Sequence, residues 1–305
     1  MNRTITALSH QEQLNFLLTN RIPRRLATQL MGWYSKIESP WLTRISIAIW
    51  RLFASDLDLS EARQQQFNSL HECFIRELRP GARPIDQRAD IVTSPCDAIV
   101  GACGTVSDGQ VFQAKGFPYA IADLIPDANL QKKYEGGRYV TLRLKSSMYH
   151  RFHAPLNCRV DKVTYISGDT WNVNPIALKR IENLFCKNER AVIQLHSGQS
   201  EHSITLVPVA AILVASLKLH CLDENLDMHY CGPHEIPCRA EYRKGDEMGY
   251  FQHGSTIILF ATDNYTFCND IVEGTPVTMG QALLKVSADS YSTSHLSTTD
   301  KGTSL

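Results

Sequence analysis

Residues 140–145 have the sequence Val-Thr-Leu-Arg-Leu-Lys, in which the apolar residues Val140, Leu142 and Leu144 alternate with polar ones. Successive side chains of a β-strand point to opposite faces of a sheet, so this alternation predicts a strand with one buried face. Residues 255–261, Ser-Thr-Ile-Ile-Leu-Phe-Ala, are apolar and β-branched, and they predict another strand. The two segments indicate that this part of the chain forms a sheet.

Other segments extend this division of the chain into a helical part and a strand-rich part. Residues 204–219 predict two strands or one bent strand, and residues 276–286 predict a strand pair. The chain before residue 85 has helical periodicity instead, including a helix expected over residues 60–79. We therefore predict an α+β protein, with a helical segment over residues 1–85 and a strand-rich domain over residues 86–288.

The composition is that of an ordinary globular protein. The 305 residues include 31 basic and 31 acidic ones, and this net charge of zero gives no global attraction for nucleic acid, so no nucleic-acid partner is expected. The nine cysteines are odd in number and irregularly spaced, which disfavours a disulfide framework. No apolar run approaches the roughly 18 residues of a membrane-spanning helix. Residues 289–305 are rich in serine and threonine and predict a disordered tail.

Residues 21–55 combine an excess of basic residues with three of the four tryptophans of the chain. A helix is expected to begin at Pro40 with Ser39 as its N-cap, and its apolar residues fall on one stripe. Tryptophan and arginine on amphipathic helices are typical of segments that lie in a membrane interface. The alternative is that the stripe packs against the core of the protein itself.

Four side chains capable of catalysis are spread over the strand-rich part. Asp97 lies beside a turn, His150 and His153 follow the strand at residues 140–145, and Ser255 begins the later strand. An aspartate can orient a histidine that deprotonates a serine, provided that the three meet in the fold. This order of residue types also occurs in serine proteases, so a serine hydrolase is one alternative. The Gly-x-Ser-x-Gly elbow of many hydrolases is missing.

A resemblance to a known protein family extends from about residue 40 to residue 287, and it rests on several blocks in a characteristic order and spacing. They are Phe-Ile-Arg-Glu-Leu-Arg (74–79), Arg-Pro-Ile-Asp (83–86), Ser-Pro-Cys-Asp (94–97), Gln-Ala-Lys-Gly (113–116), Tyr-His-Arg-Phe-His-Ala-Pro (149–155), Gly-Asp-Thr-Trp-Asn-Val-Asn (168–174), Leu-Phe-Cys-Lys-Asn-Glu-Arg (184–190), Lys-Gly-Asp-Glu-Met-Gly-Tyr-Phe (244–251) and Gly-Ser-Thr (254–256). With these blocks the chain resembles the pyruvoyl-dependent phosphatidylserine decarboxylases.

The resemblance implies a catalytic domain that contains its own cleavage site. The family's self-processing triad falls on Asp97, His153 and Ser255, and its additional decarboxylation histidine falls on His150. The chain is then expected to cut itself between Gly254 and Ser255 and to convert Ser255 into a covalent pyruvoyl cofactor. This group would form a Schiff base with phosphatidylserine, which loses carbon dioxide and becomes phosphatidylethanolamine. No metal is expected.

The resemblance also implies partners and a location. Phosphatidylserine in a membrane is the expected substrate, the two cleavage fragments are expected to remain together as a heterodimer, and further self-association is expected. With the basic, tryptophan-rich helices, these points predict a peripheral protein at the cytoplasmic face of the cell membrane. Two further alternatives are a pyruvoyl decarboxylase of a soluble amino acid and a lipid-binding protein that kept the fold without the activity.

Three features lie outside the assigned roles. His253 stands where family members usually have leucine, directly before the cleavage site, and a titratable ring there could make maturation pH-dependent. Lys115 and Arg190 are candidates for binding the headgroup phosphate. The loop at residues 231–238 has cysteines at both ends, but their separation exceeds the two-to-four-residue spacing of common zinc sites.

Overall fold

The computed structural model describes residues 23–287, apart from 115–116, 199–202, 213–215, 228–229 and 253–254. The predicted tail, residues 289–305, and the first part of the predicted N-terminal segment therefore lie outside the described residues. The same holds for Lys115, His253 and Gly254, so the predicted cleavage site is described only from Ser255 onward.

The described part contains short helices and many strands, in agreement with the α+β class. The helices are α1 Arg24–Ser35, α2 Pro40–Phe53, α3 Leu70–Phe74, α4 Ile121–Leu124, α5 Ala128–Lys133, α6 Pro175–Leu178 and α7 Leu184–Lys187. The strands are β1 Ile91–Thr93, β2 Ala98–Thr105, β3 Gln110–Ala114, β4 Phe117–Ala120, β5 Arg138–Leu144, β6 Arg151–His153, β7 Cys158–Ile166, β8 Arg190–His196, β9 Ser203–Ala210, β10 Ser216–Leu219, β11 Leu226–Asp227, β12 Glu235–Tyr242, β13 Glu247–Phe251, β14 Ser255–Ala261, β15 Tyr265–Phe267, β16 Pro276–Val277 and β17 Ala282–Val286.

An eight-stranded antiparallel sheet carries the domain, with the strand order β12-β7-β8-β9-β14-β5-β2-β16. Strands β5 and β14 are neighbours in this sheet. They correspond to the strands that were predicted at residues 140–145 and 255–261. They pair along the whole of β14, from Ser255 opposite Leu144 to Ala261 opposite Arg138. Strand β9 pairs with the other side of β14 over the same residues. The register of β14 is therefore fixed from both sides.

The sheet separates two hydrophobic cores. Along β14, Ile257 and Leu259 pack in one core, while Ile258 and Phe260 pack in the other. All four side chains are fully buried. Burial on both faces explains why this strand has a continuous apolar run, whereas half-buried strands have alternating ones.

Three smaller sheets complete the domain, with the orders β11-β10-β13-β6, β1-β17-β15 and β3-β4. Of the two alternatives for residues 204–219, two strands or one bent strand, the first is confirmed, since β9 and β10 lie there in different sheets. The predicted pairing within residues 276–286 is wrong. Strand β16 pairs with β2, whereas β17 lies between β1 and β15. The turn between β16 and β17 contains Gly280 with φ +86°, and it directs the chain from one sheet to the other.

The predicted helix over residues 60–79 is also wrong, because only α3 is helical there. Ser69 caps α3 by accepting the N–H of Glu72 at 3.1 Å, and the Glu72 carboxylate accepts the N–H of Asn68 at 2.6 Å. This reciprocal capping starts a new helix in the middle of the periodic segment. Before it, Ala62 forms an isolated antiparallel bridge with Leu78. The long-range backbone pairing thus overrides the local periodicity.

Helix α2 begins as the sequence predicted. Pro40 occupies its first turn, and the Ser39 hydroxyl accepts the N–H of Leu42 at 3.4 Å. The preceding helix α1 is fastened to the body of the protein at Arg24, whose guanidinium pairs with Asp169 at 2.6 Å and lies 3.6 Å from the ring centroid of Trp171. These contacts hold α1 against the segment that follows β7, and the hydroxyl of Tyr34 joins α1 to Ser46 of α2 at 2.7 Å.

Helices α1 and α2 bury polar residues and expose apolar ones. Their buried residues are Thr28, Ser35, Thr43 and Ser46. Their exposed large apolar residues are Leu26, Leu30, Trp33, Trp41, Ile45, Ile49, Leu52 and Phe53. Most of the apolar stripe is therefore exposed with respect to the described residues, whereas Ile47 and Trp50 of α2 pack against a small core cluster. None of the described helices has the length and hydropathy needed to cross a membrane.

Candidate active site

Ser255 is the first residue of β14 and lies between Leu144 of β5 and Ala210 of β9. It is fully buried, and its hydroxyl finds no hydrogen-bond partner within the described part of the chain. Buried hydroxyl groups are nearly always hydrogen-bonded, and the exceptions call for an explanation. The hydroxyls of Tyr119, Thr141, Thr170 and Thr256 are also buried without a partner in the described residues, and Ser255 differs from them in lining a cavity.

A cavity of about 580 Å³ opens beside Ser255, between the sheet and the N-terminal helices. One wall consists of side chains from α1, α2 and α3, namely Met31, Tyr34, Ser46, Ile49, Trp50, Leu70 and Phe74. The opposite wall consists of the end of β5, the residues before α6 and the residues after β9, namely Arg143, Leu144, Lys145, Ser146, Asn172, Val173, Asn174, Ala211 and Ile212. The cavity therefore has a largely apolar side and a side with cationic and amide groups.

His150 contacts Phe74, which lines the cavity, and its backbone bonds the segment that precedes the predicted cleavage site. It is fully buried, and its ring stacks on that of Phe74 with 4.0 Å between the centroids. Its Nδ1 lies 2.8 Å from the carbonyl oxygen of Met148, so Nδ1 carries the proton and Nε2 is the basic nitrogen. Its own carbonyl accepts the N–H of Phe251, which ends β13 three residues before Gly254.

His153 is held by hydrogen bonds at both ring nitrogens. Nδ1 donates to the carbonyl oxygen of Gly245 at 2.8 Å, and Nε2 accepts from the hydroxyl of Tyr149 at 2.9 Å. Burial lowers the pKa of His153, and hydrogen bonding to Gly245 and the charge of Glu247 oppose this effect. These contacts suit the neutral tautomer with the proton on Nδ1, and the lowered pKa favours the neutral ring; its free lone pair is then on Nε2, as a general base requires.

The expected hydrogen bond between Asp97 and His153 is not formed. The carboxylate of Asp97 accepts instead from Arg83 at 2.6 to 3.1 Å and from the N–H of Met279 at 2.9 Å. Because Arg83 contacts both oxygens and Gly245 occupies Nδ1 of His153, neither group is available to the other. A backbone hydrogen bond still joins the two segments: the N–H of His153 donates to the carbonyl oxygen of Pro95, two residues before Asp97, at 2.8 Å.

Sequence reasoning missed Arg83 and Tyr149 as contributors to this site. Both lie in blocks that carry the family resemblance, at residues 83–86 and 149–155. Their presence in those blocks was the only indication that they matter. It does not reveal which residue each of them contacts in the fold. In the structure, Arg83 forms hydrogen bonds with Asp97, and Tyr149 forms one with His153.

Arg190 does not serve as a headgroup-binding residue. It is buried, and its guanidinium donates to the carbonyl oxygens of Asp123, Leu124, Cys186 and Asn188. Arg190 therefore has a structural role, because its hydrogen bonds join β8 to the ends of α4 and α7. Among the residues that the structure describes, no cluster of histidine, cysteine, aspartate or glutamate is arranged to hold a metal ion.

Comparisons with known proteins agree on one family. The family model described as "Phosphatidylserine decarboxylase" matches residues 70–285. A phosphatidylserine decarboxylase proenzyme of Shewanella sp. (strain W3-18-1) is 34% identical over 286 residues, which cover 89% of this chain and 97% of that protein. The proenzyme of Aliivibrio salmonicida is 33% identical over 272 residues, covering 85% and 93% of the two chains. The chain therefore belongs to the phosphatidylserine decarboxylase family of carboxy-lyases.

Proposed function

We propose that the chain is a proenzyme that cleaves itself between Gly254 and Ser255 and then decarboxylates phosphatidylserine to phosphatidylethanolamine. The observation that carries this proposal is the buried Ser255 hydroxyl, which has no hydrogen-bond partner in the described residues and borders a large cavity, in a chain of this family. The curated relatives are themselves named proenzymes.

In the proposed maturation, Ser255 loses its hydroxyl proton to Nε2 of His153 and attacks the carbonyl carbon of Gly254. The Gly254–Ser255 peptide bond breaks as the ester bond forms, and the amine of Ser255 takes up a proton. Loss of the α-proton of residue 255 then expels the Gly254 carboxylate and leaves dehydroalanine. Addition of water and departure of ammonia convert that residue into a pyruvoyl group.

The roles of the polar groups are proposed from their contacts in the uncut chain, in which Nε2 of His153 bonds Tyr149 and the Ser255 hydroxyl has no described partner, so the two must approach each other for this step. The Gly245 carbonyl keeps the proton of His153 on Nδ1, so Nε2 is left as the base. Tyr149 must give up its hydrogen bond to Nε2 when the serine proton arrives. Asp97 contributes through its negative charge, which favours the imidazolium that forms on His153, while Arg83 holds the carboxylate in place.

A pyruvoyl group at residue 255 would supply an electron sink for decarboxylation at a substrate carbon that carries an amine. The chain's own residues then position the substrate and supply the proton. His150 is the proposed proton donor to the α-carbon after carbon dioxide leaves, because it is buried next to Phe74 at the cavity wall. We expect His150→Gln to mature normally and to lose about 10²- to 10⁴-fold in turnover.

The N-terminal helices are proposed to dock the enzyme on the cytoplasmic face of the cell membrane. Their exposed tryptophan, leucine and isoleucine side chains provide an apolar surface, which the described residues leave uncovered. Such a helix face suits the boundary between lipid headgroups and acyl chains. The cavity lies beneath the same helices, so a lipid could enter it from the membrane side.

The two fragments are proposed to stay together as a heterodimer after cleavage. Strand β14 begins at the cut and is hydrogen-bonded on both sides to strands of the other fragment. Its seven residues are all buried, so its separation would expose them to water. Further self-association is proposed from the family resemblance alone.

The mass of the C-terminal fragment tests the proposal directly. A decarboxylase proenzyme yields the 51 residues 255–305 with a pyruvoyl group in place of the first serine. A serine hydrolase would keep Ser255 within an intact chain, so recovery of the uncut chain would contradict self-processing. Ser255→Ala is the matched control, since it removes only the hydroxyl and should remain uncut.

The substrate is tested with the mature protein. Carbon dioxide release from phosphatidylserine vesicles, without release from free serine, is the expected outcome. Release from free serine alone would favour the decarboxylase of a soluble amino acid. Cleavage with no carbon dioxide from either compound would favour a binding protein that has lost the activity.

A further inference from the structure

Arg143 lies beside the reacting serine on the neighbouring strand. It precedes Leu144, the cross-strand partner of Ser255, and it is itself the partner of Thr256. Cross-strand partners have Cβ atoms about 5 Å apart, so Arg143 is anchored next to the first two residues of β14. Its half-buried side chain lines the same cavity as Ser255.

The guanidinium of Arg143 has no protein partner among the described residues, neither a carboxylate nor a hydrogen-bond acceptor. Four other arginines with little exposure each have at least one such partner. These are Arg76, which donates to Ser147 and Cys73, Arg83, which pairs with Asp97 and Glu61, Arg151, which pairs with Glu247, and Arg190, which donates to four carbonyl groups. The second cation at the cavity wall, Lys145, pairs with Asp56 at 3.0 Å.

An unpaired charge at a half-buried site is unfavourable, because burial removes part of its hydration. Burial alone lowers the pKa of Arg143, with no nearby carboxylate to oppose the effect. Arginine nevertheless remains protonated in proteins, so the positive charge persists and loses part of its hydration. Among the described residues, the cation beside Ser255 therefore has no counter-ion, and an anionic ligand in the cavity would remove this penalty.

We propose that Arg143 binds the phosphodiester group of the lipid substrate and thereby selects a phosphorylated serine over free serine. This inference rests on the proposed function and assigns one residue of the same site. Guanidinium groups suit the task, because their planar donors match pairs of phosphate oxygens. The apolar wall that includes Ile49 and Trp50 is then left for the lipid part of the molecule.

The substrate carries two anionic groups, and the chemistry distinguishes them. The carboxylate loses its charge as carbon dioxide departs, so a cation bound to it would stabilise the starting state more than the transition state. The phosphodiester keeps its charge throughout the reaction. It is joined to the α-carbon through one methylene group and one oxygen atom, which places it near the residue that reacts. Arg143 therefore belongs with the phosphodiester.

This assignment predicts a change in KM and not in kcat. An interaction that is equal in the ground state and the transition state contributes to binding alone. With monomeric short-chain phosphatidylserine as substrate, we expect Arg143→Gln to raise KM about 10- to 100-fold, as the loss of a charge-assisted hydrogen bond should. Arg143→Lys, which keeps the charge without the planar donors, should lie between Arg143→Gln and the wild type.

The matched control is Arg239→Gln, which removes an exposed arginine from β12 and should leave KM unchanged. Inhibition distinguishes a headgroup site from a site for free phosphate. Glycerophosphoserine should compete with the substrate in the wild type and lose this effect in Arg143→Gln. Inorganic phosphate that competes equally well, with the same dependence on Arg143, would overturn the assignment to the headgroup.

Two further outcomes keep the inference separate from the proposed function. A wild-type enzyme that releases no carbon dioxide from phosphatidylserine refutes the function, whereas active wild type with an unchanged KM in Arg143→Gln refutes only the role of Arg143. If Arg143→Gln does not mature, calorimetry can compare glycerophosphoserine binding in uncut Ser255→Ala proteins with and without the second substitution. Equal affinities there would overturn the inference.

Discussion

Arg83 holds both carboxylate oxygens of Asp97, with nitrogen–oxygen distances of 2.6 to 3.1 Å. The same guanidinium pairs with Glu61 at 2.7 Å, so Asp97 is joined to the segment that precedes the strand-rich domain. The side chains of Arg83 and Asp97 are only 13% and 10% exposed. This ion pair fixes the loop before β2, in which the carbonyl oxygen of Pro95 accepts the N–H of His153.

Removal of Arg83 should destabilise the protein and slow maturation. Arg83→Gln leaves the carboxylate of Asp97 buried without its cation, at a cost of about 3 kcal/mol in the free energy of unfolding. Urea unfolding of the uncut Ser255→Ala protein measures this cost without interference from cleavage. Arg63→Gln is the control, because its partner Glu77 and Arg63 itself are exposed and should contribute at most about 1 kcal/mol. Equal losses in both variants would contradict the structural role of Arg83.

The pH dependence of maturation should depend on Tyr149. Burial lowers the pKa of His153, so the neutral base should persist below pH 6.5, the usual pKa of histidine, and cleavage should slow only in more acidic solution. The hydroxyl of Tyr149 donates to the unprotonated Nε2 and thus stabilises the neutral ring. Tyr149→Phe should raise the pKa of His153 and move the acid limb of the cleavage rate to higher pH.

Gel analysis of chain cleavage between pH 5 and pH 8 measures this shift. Tyr250→Phe is a matched control, since the Tyr250 hydroxyl makes no hydrogen bond to another described residue. An acid limb that stays in place in Tyr149→Phe would show that the hydrogen bond to Nε2 does not set the titration. His253→Leu tests the remaining histidine near the cut, and a limb that moves in that variant alone would assign the titration to His253.

The sequence predicted the strands of this site better than its contacts. Alternation in β5 and the apolar run of β14 have physical causes that are local to each strand. The sequence left open whether the apolar residues of α2 are exposed or packed against the core. Helical periodicity shows that they share one face of the helix, but not what that face contacts. The pairing of Asp97 with Arg83 instead of His153 depends on a loop returning from residue 83, and no local pattern encodes that contact.

Association of the two fragments should depend on the core packing of β14. Ile258 is fully buried between Thr141 of β5 and Val207 of β9, so Ile258→Ala should cost about 2 to 5 kcal/mol. The measurement is the urea concentration at which the matured fragments separate on a sizing column. Val272→Ala, at a position that is 60% exposed, should change this concentration little. Fragments of the wild type that separate without denaturant would contradict the proposed heterodimer.

Membrane docking should depend on the exposed tryptophans of the two N-terminal helices. Trp33 is 69% exposed and Trp41 is 73% exposed, so neither contributes much to the core. Trp33→Glu and Trp41→Glu should each weaken partitioning to anionic vesicles about tenfold, because each replaces a large apolar side chain by a charge. Maturation and the unfolding midpoint should remain close to the wild type, since both substitutions lie on the outer face.

Vesicle flotation of the two variants measures the loss, and Phe112→Glu on β3 is the control for an exposed aromatic side chain outside the helices. Activity separates docking from catalysis. On monomeric short-chain phosphatidylserine the tryptophan variants should turn over at the wild-type rate, whereas on vesicles their rate should fall with their binding. If Phe112→Glu weakens flotation as much as the helix variants do, the apolar face of α1 and α2 is not the docking surface, and its exposure needs another explanation.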